Sequence, residues 1–553
     1  MLLFAALAIM IWAALAHATG GFSGSLFGVR IASRDPLRPL VLALLLLGSY
    51  GFGFGWRSAD ADLEPLFRMP RAVLASAVGA VCLAVFAIGV SFGTFTAGGS
   101  DSYGYVSQAD LWRHHQLRVA QPFVQDLPMP SGDWTFTPLG YRPAANGTHA
   151  IVPTYPPGLP MLMAAFALIA GPQGPYYVVP ILAALAVWLC YQLGARAASP
   201  LAGATAAIVL ASSPVFLFQL MWPMSDIPAA ALWTAALCCT VSSRRHAAAA
   251  AGLCTALAIA IRPNLAPLAA VLLGYLLWTR RGWRAFILGV LPGVCLVAAV
   301  NAYLYGSPLT FGYGNIDAMY GWRNAPINLG QFGGWVLMTQ TPLVVMAIVA
   351  LARPPRPITV LLALFAAGVV FAYLFYAPFD AWWYLRFLLP AMPVLAILTI
   401  SGCERVLART PRLLQVAVFS TGMIVLIGHQ VGFAVSRDVF KLGPGERRYV
   451  SVGEYAAAST PPNAAFISMQ HSGSLRHYSG RITLRYDSLP PDWLDRAIAM
   501  LRERGYRPYI VLEDWEEPVF RKRFGDQSAT GRLAWQPMAE FKNGILVHVY
   551  EPP

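Results

Sequence analysis

Thirteen apolar runs set the terms on which this chain can fold: residues 2–17, 39–56, 72–95, 176–196, 201–221, 227–241, 246–261, 265–278, 285–304, 334–351, 358–376, 387–403 and 413–435. A helix crosses the hydrocarbon core with roughly 17 to 25 mostly apolar residues, and these runs meet or approach that length. Only 12% of the 553 residues are charged and 57% are hydrophobic, whereas a soluble domain is usually about a quarter charged. The pattern excludes a soluble globule and predicts a polytopic all-α membrane bundle of thirteen transmembrane helices. The first run lacks a basic flank and a cleavage site, so it reads as a retained span rather than a signal peptide. Cysteines 82, 190, 238, 239, 254, 295 and 403 all lie in apolar runs or at their ends. They read as small packing residues, with neither a disulfide framework nor a CxxC metal site.

The formal net charge of +13 is carried by short arginine clusters between the runs, which is what orientation in a membrane requires and not what nucleic acid requires. Arg57, Arg68 and Arg71; Arg196; Arg244 and Arg245; Arg280, Arg281 and Arg284; Arg353 and Arg356; and Arg405, Arg409 and Arg412 fall on one side in alternation. By the positive-inside rule that side is cytoplasmic. The expected place is therefore the inner (plasma) membrane of a bacterium, with Asp101, the loop to Ile151 and everything after Val435 facing outward. Arg30, Arg34 and Arg38 oppose this scheme. The alternation also requires that residues 161–170, apolar but short and opened by Pro156, Pro157 and Pro160, lie in the interface instead of crossing. Residues 105–119 form a second expected surface helix, with Tyr105, Ala109, Trp112 and Val119 toward lipid and Asp110, Arg113, His114 and Arg118 away from it.

From Phe440 the composition changes. Residues 464–469, 482–486, 509–513 and 545–550 read as strands, and 493–504, with Leu494, Ala497, Ile498 and Leu501 on one stripe, as a helix. Gly443-Pro444-Gly445 reads as a linker turn. The organisation expected is two additional N-terminal spans in 1–71, a membrane module in 72–435 whose first outer loop is 96–175, and a small soluble α/β domain in 436–553.

Chemistry gathers at the outer ends of the spans. Gly98-Gly99-Ser100-Asp101-Ser102-Tyr103-Gly104-Tyr105 puts a carboxylate where the run 72–95 should surface, and Thr154-Tyr155-Pro156-Pro157-Gly158-Leu159-Pro160 follows some fifty residues on. Asp101 suits a general base at the membrane face, or it caps a surface helix. Arg262 and Arg386 sit at outer ends of spans, against the topological rule; a guanidinium there suits a lipid phosphate, or it snorkels or pairs with Asp226 or Asp380. Asp226 orients an arginine or caps its helix, and Asp380 lies among Phe379, Trp382, Trp383 and Tyr384, whose aromatic faces suit a sugar ring or an interfacial belt. Asp110 supplies a further carboxylate or is part of a solvated face. A divalent metal would need folding to bring Asp101 and His149 together, because no metal-ligand spacing is present. Asn146-Gly147-Thr148 reads as a turn.

These motifs together resemble the GT-C superfamily of polyprenyl-phosphate-sugar glycosyltransferases, in particular the protein O-mannosyltransferase and aminoarabinose-transferase group, family 39-like, over residues 72–435. Arg386-Phe387-Leu388-Leu389-Pro390 looks like that superfamily's Arg-aromatic-Leu-Leu-Pro run, and Ser225-Asp226 like its Ser-Asp or Thr-Asp position; Asp101-Ser102 departs from the two adjacent acids of many relatives. The resemblance implies an inverting transferase in which Asp101 deprotonates the acceptor and Arg262 and Arg386 hold the polyprenyl phosphate. Ser102, Tyr103, Asp110, Tyr155, Pro156, Asp226, Asp380 and Tyr384 would line or support the cleft. The donor would be a lipid-linked sugar and the acceptor a glycan, lipid or protein, with membrane lipids as partners and no nucleic acid. A transporter or flippase of a lipid-linked sugar is the alternative, and an assembly scaffold a third.

Overall fold

The structure is a computed structural model and describes residues 1–553 except 19–21, 27, 28, 34, 68, 146, 315, 353 and 354. Arg34, Arg68, Arg353 and the Asn146 turn of the sequence reading lie outside the described residues. The molecule is mostly helical, and among the described residues seven helices are long and apolar enough to cross a membrane, or nine if two bent pairs each count as one span. Three shorter apolar helices, Asp226–Thr240, Ala247–Ile261 and Pro263–Trp278, and the 17-residue Leu2–Ala18 complete the bundle. The thirteen runs therefore do not become thirteen full-length spans. Pro200–Ser212 and Pro214–Leu220 meet at 61°, and Trp322–Gln340 and Pro342–Val349 at 113°. Each break falls at a proline, which removes an intrahelical donor. The second break rules out run 334–351 as a straight span, and Thr341 there has a φ of 59°.

Alanine and glycine let the central helices approach closely, the packing mode of helices that gain nothing from burying apolar surface against apolar lipid. A Cβ on Gly194 would fall 2.7 Å from the Gly203 backbone, and one on Gly289 2.7 Å from the Ala249 carbonyl. Trp233, fully buried, meets Phe365 at the centre. The stretch Trp382–Leu407 is the most enclosed of the apolar helices, whereas Leu37–Phe54 and Arg412–Ser436 are largely exposed and lie at the periphery. Between the first two helices stands an unforeseen antiparallel hairpin of Phe22–Leu26 and Val29–Ser33.

The first large loop is built differently from the expectation. Its helix is Asp101–Arg113, and Val119 lies beyond it in a short strand, Val119–Ala120, of a three-stranded sheet with Ala150–Pro153 and Tyr141–Pro143. Tyr105 and Ala109 face not lipid but protein, buried against Tyr155, Leu159 and Met163; the Tyr105 and Tyr155 rings meet at a tilt of 36° with centroids 4.5 Å apart. Gly158–Ala197 is helical and apolar throughout, yet it is not one straight helix. Gly171 takes a φ of 67°, and the backbone of Gly174 comes to rest against the Phe166 carbonyl, so Gly158–Ala170 folds back on Gly174–Ala197.

Beyond Ser436 a five-stranded sheet has the spatial order Ile482–Leu484, Ala464–Ile467, Arg507–Glu513, Ile545–Tyr550, Ala539–Asn543. The first three strands are parallel and the last two antiparallel. Helices Leu442–Ser459, Ser472–Ser479, Leu494–Glu503 and Glu516–Phe524 belong to the same segment. Gly443-Pro444-Gly445 is not a linker turn: it forms the first turn of Leu442–Ser459, where a proline lacks nothing the helix would use.

Candidate functional site

Residues 93–100 leave the membrane helix Arg71–Phe92 and are pinned from several directions. Thr94 N–H donates to the Met221 carbonyl at 2.8 Å, and Ala97 N–H to the Tyr478 hydroxyl at 2.8 Å. Two glycines are then needed for different reasons. Gly99 takes a φ of 57°, where a side chain is strained. Gly98 lies flat under the Tyr449 ring, which a Cβ would strike.

Asp101 is the first residue of the helix Asp101–Arg113, where the exposed N–H groups favour a negative charge. Its carboxylate accepts one hydrogen bond from the Tyr155 hydroxyl at 2.6 Å and one from Arg386 Nη2 at 3.1 Å. Tyr155 also meets the Ser100 hydroxyl at 2.9 Å, and its ring covers Gly104, which has no room for a Cβ. Burial and the neighbouring Asp101 carboxylate push the Tyr155 phenol well above its ordinary range, so it remains a donor to the carboxylate.

The two arginines are held unequally. Arg262 ends the helix Ala247–Ile261 and gives Nη2 to Asp226 at 2.6 Å, Nε to Ser225 at 3.0 Å and Nη1 to Tyr373 at 3.1 Å. Asp226 is buried and orients this arginine. Arg386 gives Nη2 to Asp101 and only a sulfur contact, Met224 at 3.4 Å, to Nη1. Its Nε is buried without a partner among the described residues, and its guanidinium lies 5.5 Å from the Tyr384 ring centroid and 5.4 Å from that of Phe387.

All of this borders one cavity of about 1110 Å³. Asp101, Ser102, Tyr155, Pro156, Asp226, Arg262, Tyr384 and Arg386 line it; Phe218, Leu268, Val271 and Phe371 give it an apolar flank among the membrane helices. Tyr103, Asp110 and Asp380 are not brought to it. Tyr103 is buried between Tyr141 and Gly473. Asp110 is exposed and pairs with Arg113 and His114 at 3.1 and 3.6 Å, and Asp380 is exposed. His149 pairs with Asp133 at 2.8 Å instead of approaching Asp101. Among the described residues no group of three or more His, Cys, Asp or Glu side chains could hold a metal ion.

The sequence reading missed the opposite wall. Glu446, Arg448, Tyr449 and Gln470, all beyond the last membrane helix, line the same cavity. Arg448 bridges Glu446 and Glu513, each at 2.7 Å, and His471 meets Glu513 at 3.2 Å. Burial pushes the Glu446 carboxyl up to about 7, with Arg448 pulling the other way. Burial would raise Glu513 too, but His471 and Arg448 outweigh it and hold that group at about 2. No local motif marks these residues, because their partners come from distant segments.

Among solved structures, ArnT from Cupriavidus metallidurans in the apo state superposes with a TM-score of 0.54 at 15% identity, over 86% of this chain and 98% of that one. This chain has the fold of the GT-C glycosyltransferases. The same GT-C fold is shared with ArnT bound to undecaprenyl phosphate, at a TM-score of 0.51 and 14% identity over 86% and 98% of the two chains. The archaeal oligosaccharyltransferase AglB from Archaeoglobus fulgidus, in complex with an inhibitory peptide and a dolichol-phosphate, gives 0.50 and 12% over 79% and 69%. No family model and no curated protein sequence matches the chain.

Proposed function

We infer that this protein is an inverting glycosyltransferase, moving a sugar from a polyprenyl-phosphate donor to an acceptor at the outer face of a bacterial inner membrane. The observation that carries the reading is the pairing of Asp101 with Arg386 at 3.1 Å in a cavity with an apolar flank, and the GT-C fold supports it. Residues 72–435 are the catalytic module and 436–553 an extracytoplasmic α/β domain, with two further spans in 1–71.

The prenyl tail lies along the apolar flank and its phosphate reaches Arg386, whose Nε and Nη1 have no oxygen partner among the described residues; Arg262 adds positive charge nearby. A phosphate oxygen that draws the guanidinium away loosens its hold on Asp101 and leaves the carboxylate free to act as base. The acceptor oxygen attacks the anomeric carbon as its proton passes to Asp101, and the bond from that carbon to the phosphate oxygen breaks. The phosphate departs with the electron pair already charged, so no strong general acid is needed. Attack opposite the leaving group inverts the anomeric centre.

Asp101→Asn tests this in purified, membrane-reconstituted protein. Sugar transfer from the native lipid-linked donor should fall about 10²–10⁴-fold while undecaprenyl phosphate still binds. Full transfer by that variant would remove Asp101 from the chemistry. Lipid-linked sugar that crosses the bilayer with its phosphate bond intact would make the protein a transporter.

A further inference from the structure

The wall across from the arginines stands where small parallel sheets bind ligands. From Ala464–Ile467 the chain leaves through Ser472–Ser479 to Ile482–Leu484 on one side; from Arg507–Glu513 it leaves through Glu516–Phe524 toward the opposite edge. A crevice opens at the carboxyl ends of two strands whose connections diverge in this way. Gln470 and His471 follow the first strand, Glu513 ends the second, and Arg448 closes the crevice from the helix Leu442–Ser459, donating to Glu513 at 2.7 Å. This crevice is the part of the C-terminal segment that faces the cavity.

Its free valences are those of a neutral polar surface. Four of the five Arg448 N–H groups are used, on Glu513, Gly445, Glu446 and Tyr449, and two carboxylates meet its single charge, so the wall offers an anion no net positive charge; the Tyr449 hydroxyl accepts from Arg448 and Gln470 and keeps its own proton to donate. Glu446, only 7% exposed, receives Arg448 on Oε1 at 2.7 Å, and its Oε2 has no partner among the described residues. Gln470 donates its amide to Tyr449 at 2.8 Å, and its own carbonyl oxygen is likewise unpartnered among them. Two acceptor oxygens thus border the cavity that is also lined by Asp101, the carboxylate that would take the acceptor's proton. They need O–H donors, and several on one small rigid frame is the chemistry of a sugar. None of the cavity-lining residues lies in a strand, so an extended peptide finds no sheet edge to join.

We propose that Glu446 and Gln470 form the acceptor subsite and that the acceptor is a neutral carbohydrate, bound through its hydroxyls and carrying no phosphate at its reacting end. This rests on the transferase reading above. The full chain in detergent is to be examined by saturation-transfer NMR with neutral methyl glycosides and disaccharides of hexoses and pentoses, alongside a glycosyl 1-phosphate and a Ser/Thr-containing peptide. Undecaprenyl phosphate binding is followed in parallel by thermal shift. Neutral glycosides should show saturation transfer that weakens about tenfold in Glu446→Gln and again in Gln470→Met, with undecaprenyl phosphate affinity unchanged. No transfer to any glycoside, or transfer indifferent to both substitutions, overturns the proposal. A peptide or sugar phosphate that binds in their place, dependent on Glu446, overturns the carbohydrate assignment. If wild-type protein fails to bind undecaprenyl phosphate, the donor reading itself falls, whatever the glycosides do. Gln470→Met leaves the Arg448 ion pairs intact, so a folding defect in Glu446→Gln does not remove the test.

Discussion

A guanidinium that already holds a carboxylate and two hydroxyls has little left for a phosphate. Arg262 is in that position, with all three nitrogens engaged, while Arg386 keeps an Nε unpartnered among the described residues and a weak sulfur contact. The two should respond differently to substitution. Arg386→Lys retains the charge but loses the planar fork, and should weaken undecaprenyl phosphate binding about tenfold by thermal shift with little change in the protein's own unfolding midpoint. Asp226→Ala strips the partner from a buried arginine and should cost about 3–5 kcal/mol of stability, read as a drop in that midpoint. At Gly98 the issue is space. Gly98→Ala places a methyl group against the Tyr449 ring, and should depress sugar transfer by displacing the segment that carries Asp101; Tyr449→Ala in the same chain should restore part of the loss.

The two bent helix pairs meet through side chains. Gln340, beside one break, donates to Ser213 at the other at 2.9 Å; Gln430 donates to Gln340 at 2.6 Å and accepts from Ser212 at 2.6 Å. Gln430→Leu leaves the buried Gln340 Oε1 without its donor, while Ser212 falls back on the Ile208 carbonyl at 3.0 Å, and should lower stability by about 1–3 kcal/mol, measurable by thermal unfolding in detergent. The apolar runs were plain in the sequence, because lipid demands composition over a length. The breaks were not, because Pro214 and Pro342 become corners only where neighbours supply the lost hydrogen bonds. Strand positions near 464, 482, 509 and 545 were visible as β-branched and aromatic runs. Ala539–Asn543 was hidden by its alternating Glu540 and Lys542, which are exposed on the outer strand. At the site, Asp101, Tyr155, Asp226, Arg262 and Arg386 stood out as charges or motifs at span ends. Glu446, Arg448 and Gln470 did not, since nothing local distinguishes a surface charge from one that will meet a partner 65 residues away. The helix face given to Tyr105 and Ala109 was apolar as read, but Tyr155 and Leu159 cover it in place of lipid.

For the whole molecule, the buried charges beyond the membrane set a pH response with two limbs. Glu446 rises from an ordinary 4.5 to about 7 in the folded chain, so the native state holds that proton more tightly and stability falls as pH climbs between those values. Glu516 shifts the same way. Glu513 is held at about 2; its contribution is present above 4.5 and is lost as pH drops toward 2. The unfolding midpoint of the full chain should therefore decline on the alkaline side between about pH 5 and pH 7. Glu446→Gln should flatten that decline without abolishing it.

The bond from Ala97 to Tyr478 joins residues 381 positions apart. A ribosome adding about 5–20 residues per second needs roughly 20 to 80 s to travel that distance. For all that time Asp101 sits in a nascent chain whose far wall has not yet been made. The cavity thus comes into being only after residue 470 has been added, and a half-translated chain carries the carboxylate without its enclosure.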